Sequence, residues 1–317
     1  MCPTTHTENA SYEDLAKRVL DEFGVAPIVH TVALKRPPID ANVLEYGQGV
    51  PTLLLHGGDG ESWNFAPLMA QLGDDLHMYA VDRPNFGLSG HVDYRSVRSL
   101  RAHAAEFCES VLDALGLDRV VVVGASFGGI FALALAVAHP ERVNSVVLPG
   151  YAAGVVKRAP WRTRVRVNVP FLPSARAMVQ AGRTAAGQKQ LHEGAWGVTP
   201  GEVPDSFYAA RSAGARLPGA EEAWRLLRRK QLGFRGTRPD AYFGDDFPRI
   251  TQPILQLWGE RERNPLEWGR KEIARLPNCR FVLMPDVGHF PYIQAPVQTA
   301  SLIRDFVRET TNEASDG

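Results

Sequence analysis

Apolar and polar positions alternate along the chain in two rhythms, one helical and one strand-like. From Ser11 to Phe23 the apolar residues recur at helical spacing, and the pattern predicts a helix with Ser11 as N-cap and Asp14 closing a capping box. Gly24 ends it. Two extended runs follow, Ile28–Leu34 and Asn42–Tyr46, read as an antiparallel opening pair. Thr52–Leu55, Met78–Val81, Val120–Val123, Ser145–Leu148 and Ile254–Leu257 are short apolar runs without alternation, the mark of strands buried on both faces. Between them Val97, Leu100, Ala104, Phe107, Val111 and Leu115 form one helical stripe, while Phe127–Ala138 is apolar all round and predicts a helix buried between layers. A helix around Trp268–Leu276, a strand Phe281–Met284 and a last helix Val297–Arg308 complete the series, with a frayed tail TTNEASDG. The alternation predicts an α/β fold, a mostly parallel twisted sheet covered by helices on both faces.

One stretch breaks the rhythm. Residues 151–248 carry several helical segments interrupted by Pro and Gly and no convincing buried strand, so they read as a helical insertion placed at the C-terminal edge of the sheet. Residues 1–150 and 249–317 form the core around it. The insertion holds 16 Lys+Arg against 8 Asp+Glu and the rest 19 against 27, a basic cap (+8) over an acidic base (−8). Such a cap would favour anionic substrates. The preferred reading of Arg225, Arg228, Arg229 and Lys230 is nevertheless a solvated helix face.

Composition narrows the function. Net charge is zero over 317 residues, which gives no global field for a polyanion, so nucleic acid is not expected as a partner. The three cysteines, Cys2, Cys108 and Cys279, are widely spaced and read as reduced thiols. No apolar run reaches the roughly 20 residues of a membrane span, and the polar, acidic first residues do not resemble a secretory signal. A cytoplasmic location is the expectation, and a homo-oligomer is compatible with the sequence. There is no HExxH, no Walker A motif, no GxGxxG after a strand and no zinc-spaced Cys/His cluster, so no metal and no cofactor is expected.

The strongest chemical signal is Gly124-Ala125-Ser126-Phe127-Gly128, a G-x-S-x-G set between a buried strand and a buried helix. A serine on so tight a strand-to-helix turn is raised above the sheet edge, with the first backbone N–H groups of the helix aimed at whatever it attacks. Ser126 is therefore the candidate nucleophile.

Four further segments extend the pattern: Leu53-Leu54-Leu55-His56-Gly57-Gly58 with Trp63 after it, Asp82-Arg83-Pro84-Asn85-Phe86-Gly87-Leu88-Ser89, His139-Pro140-Glu141-Arg142-Val143, and Asp286-Val287-Gly288-His289-Phe290-Pro291. With the elbow they resemble the α/β-hydrolase superfamily over roughly residues 40–150 and 250–308, and the insertion stands where that family places its variable cap. The resemblance implies an α/β-hydrolase fold with His289 as general base and the Phe127 and Gly58 N–H groups as oxyanion hole. The family's acid commonly follows as G-x-x-D. That register gives Glu262 here, its extra methylene requiring the backbone to sit farther back, with Glu260 the close competitor. His56 is expected to be structural, and His6, His30, His77, His91, His103, His139 and His192 lack any partner motif. Asn85 replaces the usual glycine of its turn and is expected to tolerate positive φ, and Asp59 is expected to point away from the hole or to cap the turn.

The expected function is a serine hydrolase acting on a small-molecule substrate, a small or medium carboxylic ester, thioester or lactone, through an acyl-enzyme. Two alternatives stand beside it. One is a carbon–carbon bond hydrolase of a vinylogous diketone acid, suggested by the basic cap and the glycine-rich HGGDGESW loop. The other is a slow-turnover ligand receptor on the same scaffold.

Overall fold

The computed structural model describes residues 10–313. Cys2, His6 and the end of the tail lie outside the described residues. The chain opens with α1 (Tyr12–Glu22), β1 (Ile28–Ala33), β2 (Asp40–Tyr46) and β3 (Val50–Leu55), followed by α2 (Ala66–Leu72), β4 (Leu76–Val81), α3 (Leu100–Leu115), β5 (Val120–Gly124), α4 (Gly128–Ala138) and β6 (Val143–Pro149). The insertion supplies α5 (Trp161–Asn168), α6 (Pro173–Gly182), α7 (Ala185–Ala195), α8 (Asp205–Gly214), α9 (Ala220–Gln231) and a small ribbon, β7 (Leu232–Gly233) with β8 (Gly236–Thr237). The last part is β9 (Ile254–Gly259), α10 (Leu266–Ile273), β10 (Cys279–Met284), α11 (Pro291–Gln294) and α12 (Pro296–Glu313).

Eight strands form one sheet in the order β1-β2-β4-β3-β5-β6-β9-β10. Strand β2 pairs antiparallel with β1 and β4, and the remaining pairings are parallel. The valines of β5 show why the sheet needs two cover layers. Val120 and Val122 pack with α3 and α4 on one side, while Val121 and Val123 pack with α2 and α12 on the other. Helix α4 is buried almost throughout, as its all-round apolar sequence requires. Among the described residues no helix is long and apolar enough to cross a membrane.

Ser11 caps α1 through the expected reciprocal pair with Asp14. The last helix departs from expectation. Instead of ending at Arg308 with a frayed tail, α12 continues to Glu313, and the Thr310 and Thr311 hydroxyls donate back to the Phe306 and Val307 carbonyls at 3.0 and 2.8 Å. Helix α2, preceded by a 3-10 turn at Ser62–Phe65, is an element the apolar pattern did not predict.

Candidate active site

Ser126 occupies the turn between β5 and α4 with φ +49°, a left-handed conformation that side chains rarely adopt. Two glycines make the turn possible. A Cβ on Gly128 would lie 2.1 Å from the Leu55 carbonyl oxygen, and one on Gly124 2.8 Å from both the Ala132 Cβ and the Gly128 carbonyl oxygen. The Ser126 carbonyl accepts from Gly129 N–H and Ala153 N–H, both at 3.0 Å, which fixes the serine backbone.

His289 Nε2 lies 3.0 Å from Ser126 Oγ, and its Nδ1 is hydrogen-bonded to Glu262 Oε2. Both side chains are almost fully buried. Glu262 reaches the imidazole from the turn after β9, and its other oxygen accepts from the Asn264 backbone N–H at 2.9 Å and side-chain amide at 2.8 Å. Burial pushes the Glu262 carboxyl upward, but the adjacent His289 and the Asn264 hydrogen bonds outweigh it and hold the group below its usual range. Glu260 is exposed on the outer side of the same turn, where its carboxylate meets the Asp286 N–H at 3.4 Å. The structure thus brings Ser126, His289 and Glu262 together and leaves Glu260 outside. His289 is also held by the insertion: its backbone N–H donates to the Trp196 carbonyl at 2.8 Å, and the Trp196 ring lies 4.7 Å from the imidazole.

The two expected oxyanion donors, Gly58 N–H and Phe127 N–H, have no acceptor among the described residues. The loop bearing Gly58 rests on a buried guanidinium. Arg83 Nη2 donates to the Gly57 carbonyl at 2.9 Å and to the Gly58 carbonyl at 2.5 Å, and its Cζ lies about 5 Å from the ring centroids of Phe86, Phe127 and Phe131. His56 accepts the Arg83 backbone N–H on Nε2 at 2.9 Å, so its Nδ1 carries the proton and donates to the Gly57 carbonyl. Burial first, then the Arg83 charge, keeps His56 neutral by pulling it well below its ordinary value. It is a structural residue, as expected. Asp59 turns away from the hole and pairs with Arg211 of α8 at 2.9 Å. Asn85 adopts φ +71°, as expected for the residue replacing glycine there.

Trp224 of α9 covers the loop. A Cβ on Gly58 would lie 2.7 Å from the indole Cζ2, and the ring stands edge-on to Phe127 with centroids 5.3 Å apart. Here the expectation of a solvated basic face on α9 needs correction. Ala220, Ala223, Leu227 and Gln231 form the buried stripe, which brings Arg228, one turn after Trp224, onto the inward side. Arg225 pairs with Glu222, Arg229 is exposed, and Lys230 reaches the Val97 carbonyl at 2.5 Å. Arg83, Trp196, Trp224 and Asn264 were not singled out for the site from sequence. Only the spacing of Trp224 and Arg228 on one helix face could have signalled one of these contacts.

The family model described as the alpha/beta hydrolase family matches residues 52–302. The chain belongs to the α/β-hydrolase family. It is similar to the 2-hydroxy-6-oxo-2,4-heptadienoate hydrolase of Pseudomonas putida strain F1, 41% identical over 122 residues, a match covering 37% of this chain and 42% of that protein. It is also similar to a 2-hydroxymuconate semialdehyde hydrolase of Pseudomonas putida, 27% identical over 84% of this chain and 90% of the relative. Among solved structures, the carboxylesterase CesB of Bacillus subtilis superposes with a TM-score of 0.73 at 19% identity, covering 93% of this chain and 96% of that one, a likeness of fold. As an α/β-hydrolase the protein is a hydrolase, and the proteins it is similar to include hydrolases of a heptadienoate and of a muconate semialdehyde and a methyl ester esterase.

Proposed function

We propose that the protein is a serine hydrolase that cleaves a small or medium carboxylic ester, thioester or lactone through an acyl-enzyme, with residues 151–248 acting as a cap over the site. The observation that carries the reading is the continuous chain from Ser126 Oγ through His289 to the Glu262 carboxylate. Ser126 Oγ attacks the acyl carbonyl as its proton passes to His289 Nε2, and the Gly58 and Phe127 N–H groups receive the developing oxyanion. The C–O or C–S bond then breaks, and the leaving group takes the proton from Nε2. Water, deprotonated by the same nitrogen, attacks the acyl-enzyme and releases the carboxylic acid and Ser126. Glu262 keeps the imidazole in the tautomer with Nδ1 protonated and stabilises its cation.

The test is labelling with a fluorophosphonate followed by turnover of esters of graded acyl length. Ser126→Ala should lose the label and roughly three or more orders of magnitude in kcat/KM. Full activity in that variant overturns the serine mechanism. The 41% identity to the heptadienoate hydrolase over 122 residues favours a second reading, cleavage of a carbon–carbon bond in a vinylogous diketone acid by the same three residues. Loss of a dienoate chromophore, with turnover exceeding that of every ester in the panel, would select it.

A further inference from the structure

The guanidinium of Arg228 stacks over the Trp224 indole, 5.5 Å from the ring centroid, and Trp224 in turn lies on Gly58 and against Phe127. Arg228 is thereby held one side chain away from the expected oxyanion hole. It is partly buried, yet among the described residues it has no hydrogen-bond or ion-pair partner. The acid whose charge bears on it, Asp59, is already engaged by Arg211. Arg166, on α5 packed against α9, is likewise partly buried and without an ion-pair partner among the described residues. Burial foremost, then the like charge of Arg166, pulls Arg228 down to about 10 against the opposing attraction of Asp59, so it stays cationic at neutral pH. A partly buried guanidinium left without an ion-pair partner, with a second unpaired one on the helix packed against its own, has the fork geometry to take a carboxylate.

We propose that Arg228, assisted by Arg166, binds a carboxylate carried by the substrate at a distance from the scissile carbonyl, so that the preferred ester is an anionic one such as a dicarboxylic acid hemiester. This assignment rests on the ester-hydrolase reading of the same site. Trp224 sets the spacing. Its ring separates the guanidinium from Gly58, so the carboxylate must be several bonds from the reacting carbon rather than adjacent to it.

The experiment compares kcat/KM for the 4-nitrophenyl hemiesters of adipate and suberate with that for 4-nitrophenyl hexanoate and octanoate. The wild type should favour the hemiesters, and Arg228→Gln should lower the hemiester-to-neutral ratio by about 10- to 100-fold, mainly through KM. Arg228→Lys should retain part of the preference, and Arg166→Gln should lower the ratio less than Arg228→Gln. Calorimetric titration with adipate gives a readout independent of turnover, with affinity lost in Arg228→Gln while its unfolding midpoint stays near that of the wild type. A ratio unchanged by Arg228→Gln, or adipate affinity equal in both proteins, overturns the anion site and leaves the ester reading standing. Failure of the wild type to hydrolyse any of the four esters or to take the fluorophosphonate label overturns the ester reading, and the adipate titration still decides whether Arg228 holds a carboxylate.

Discussion

Two carboxylates in one turn, Glu260 and Glu262, have opposite surroundings, and that contrast makes a sharp prediction at the residue scale. Glu262 is buried against His289 with both oxygens engaged, whereas Glu260 faces outward. Glu262→Gln removes the charge that stabilises an imidazolium and should lower kcat/KM by roughly 10²- to 10⁴-fold, while Glu260→Gln should change it by less than about twofold. The reverse ranking, measured on one ester under identical conditions, would move the acid to Glu260. Ser126 was legible from its strand-turn-helix setting, and His289 and Glu262 as candidates from short segments that resemble those of the family. The groups that hold them were not. Asn264 pins Glu262 from two residues away, but nothing local marks it, and the Trp196 carbonyl that receives His289 N–H comes from an insertion with no recurring motif. Contacts across long sequence separations leave no period or spacing to read. Arg83 illustrates this further, since a guanidinium in a turn ordinarily faces water and here lies beneath three phenylalanine rings.

Among the elements, the strand-turn-helix of β5 and α4 carries the tightest packing constraint. Helix α4 can approach β3 only because Gly128 has no side chain, since the atom a Cβ would strike is a backbone oxygen of a central strand rather than a flexible side chain. Gly128→Ala should therefore destabilise the protein by roughly 1–3 kcal/mol or more, as overpacking does. Urea unfolding checks this: an unchanged midpoint would mean that β3 and α4 are not in contact as described. The buried strands were readable because strands covered on both faces become continuous apolar runs, and α4 because a helix between layers has no polar stripe. Helix α2 escaped because Pro67 in the middle of N-F-A-P-L-M reads as a breaker. It falls in the first turn of the helix, where the missing N–H costs nothing. The length of α12 escaped for a different reason. Its polar second half is tied to the core by Arg304 and Arg308, which pair with Asp75 at 2.6 and 2.8 Å across more than 200 residues of chain.

At the scale of the whole molecule, the opposite net charges of insertion and core meet in a buried cluster. Arg211 of α8 donates to Asp59 and to the Asn64 side-chain oxygen, 2.9 and 3.0 Å away, and lies 4.0 Å from the Glu61 carboxylate. Two acidic residues, Asp59 and Glu61, thus flank one guanidinium beneath the active-site loop, and Asp82 adds its charge at Glu61. Removing that cation, as in Arg211→Met, should cost about 1–3 kcal/mol in urea unfolding, because it leaves the partly exposed Asp59 carboxylate unpaired and the Asn64 side-chain oxygen without its donor. Glu61 is the member in excess. One of its oxygens has no hydrogen-bond partner among the described residues, and burial, opposed by Arg211 but reinforced by Asp82 and Asp59, raises its carboxyl well above the usual value. The sign of its effect on stability follows. A folded-state pKa above the unfolded value of about 4.3 means that the folded protein binds the extra proton. The contribution of Glu61 is fully present below that unfolded value and is lost as pH rises through the folded one. Glu61→Gln keeps the shape without the titration, so its stability advantage over the wild type should widen as pH rises across that interval. Urea unfolding of both proteins from pH 4 to 8 measures the difference directly. A gap independent of pH, or one that narrows as pH rises, would show that Glu61 is ionised in the folded protein and that Arg211 neutralises it fully.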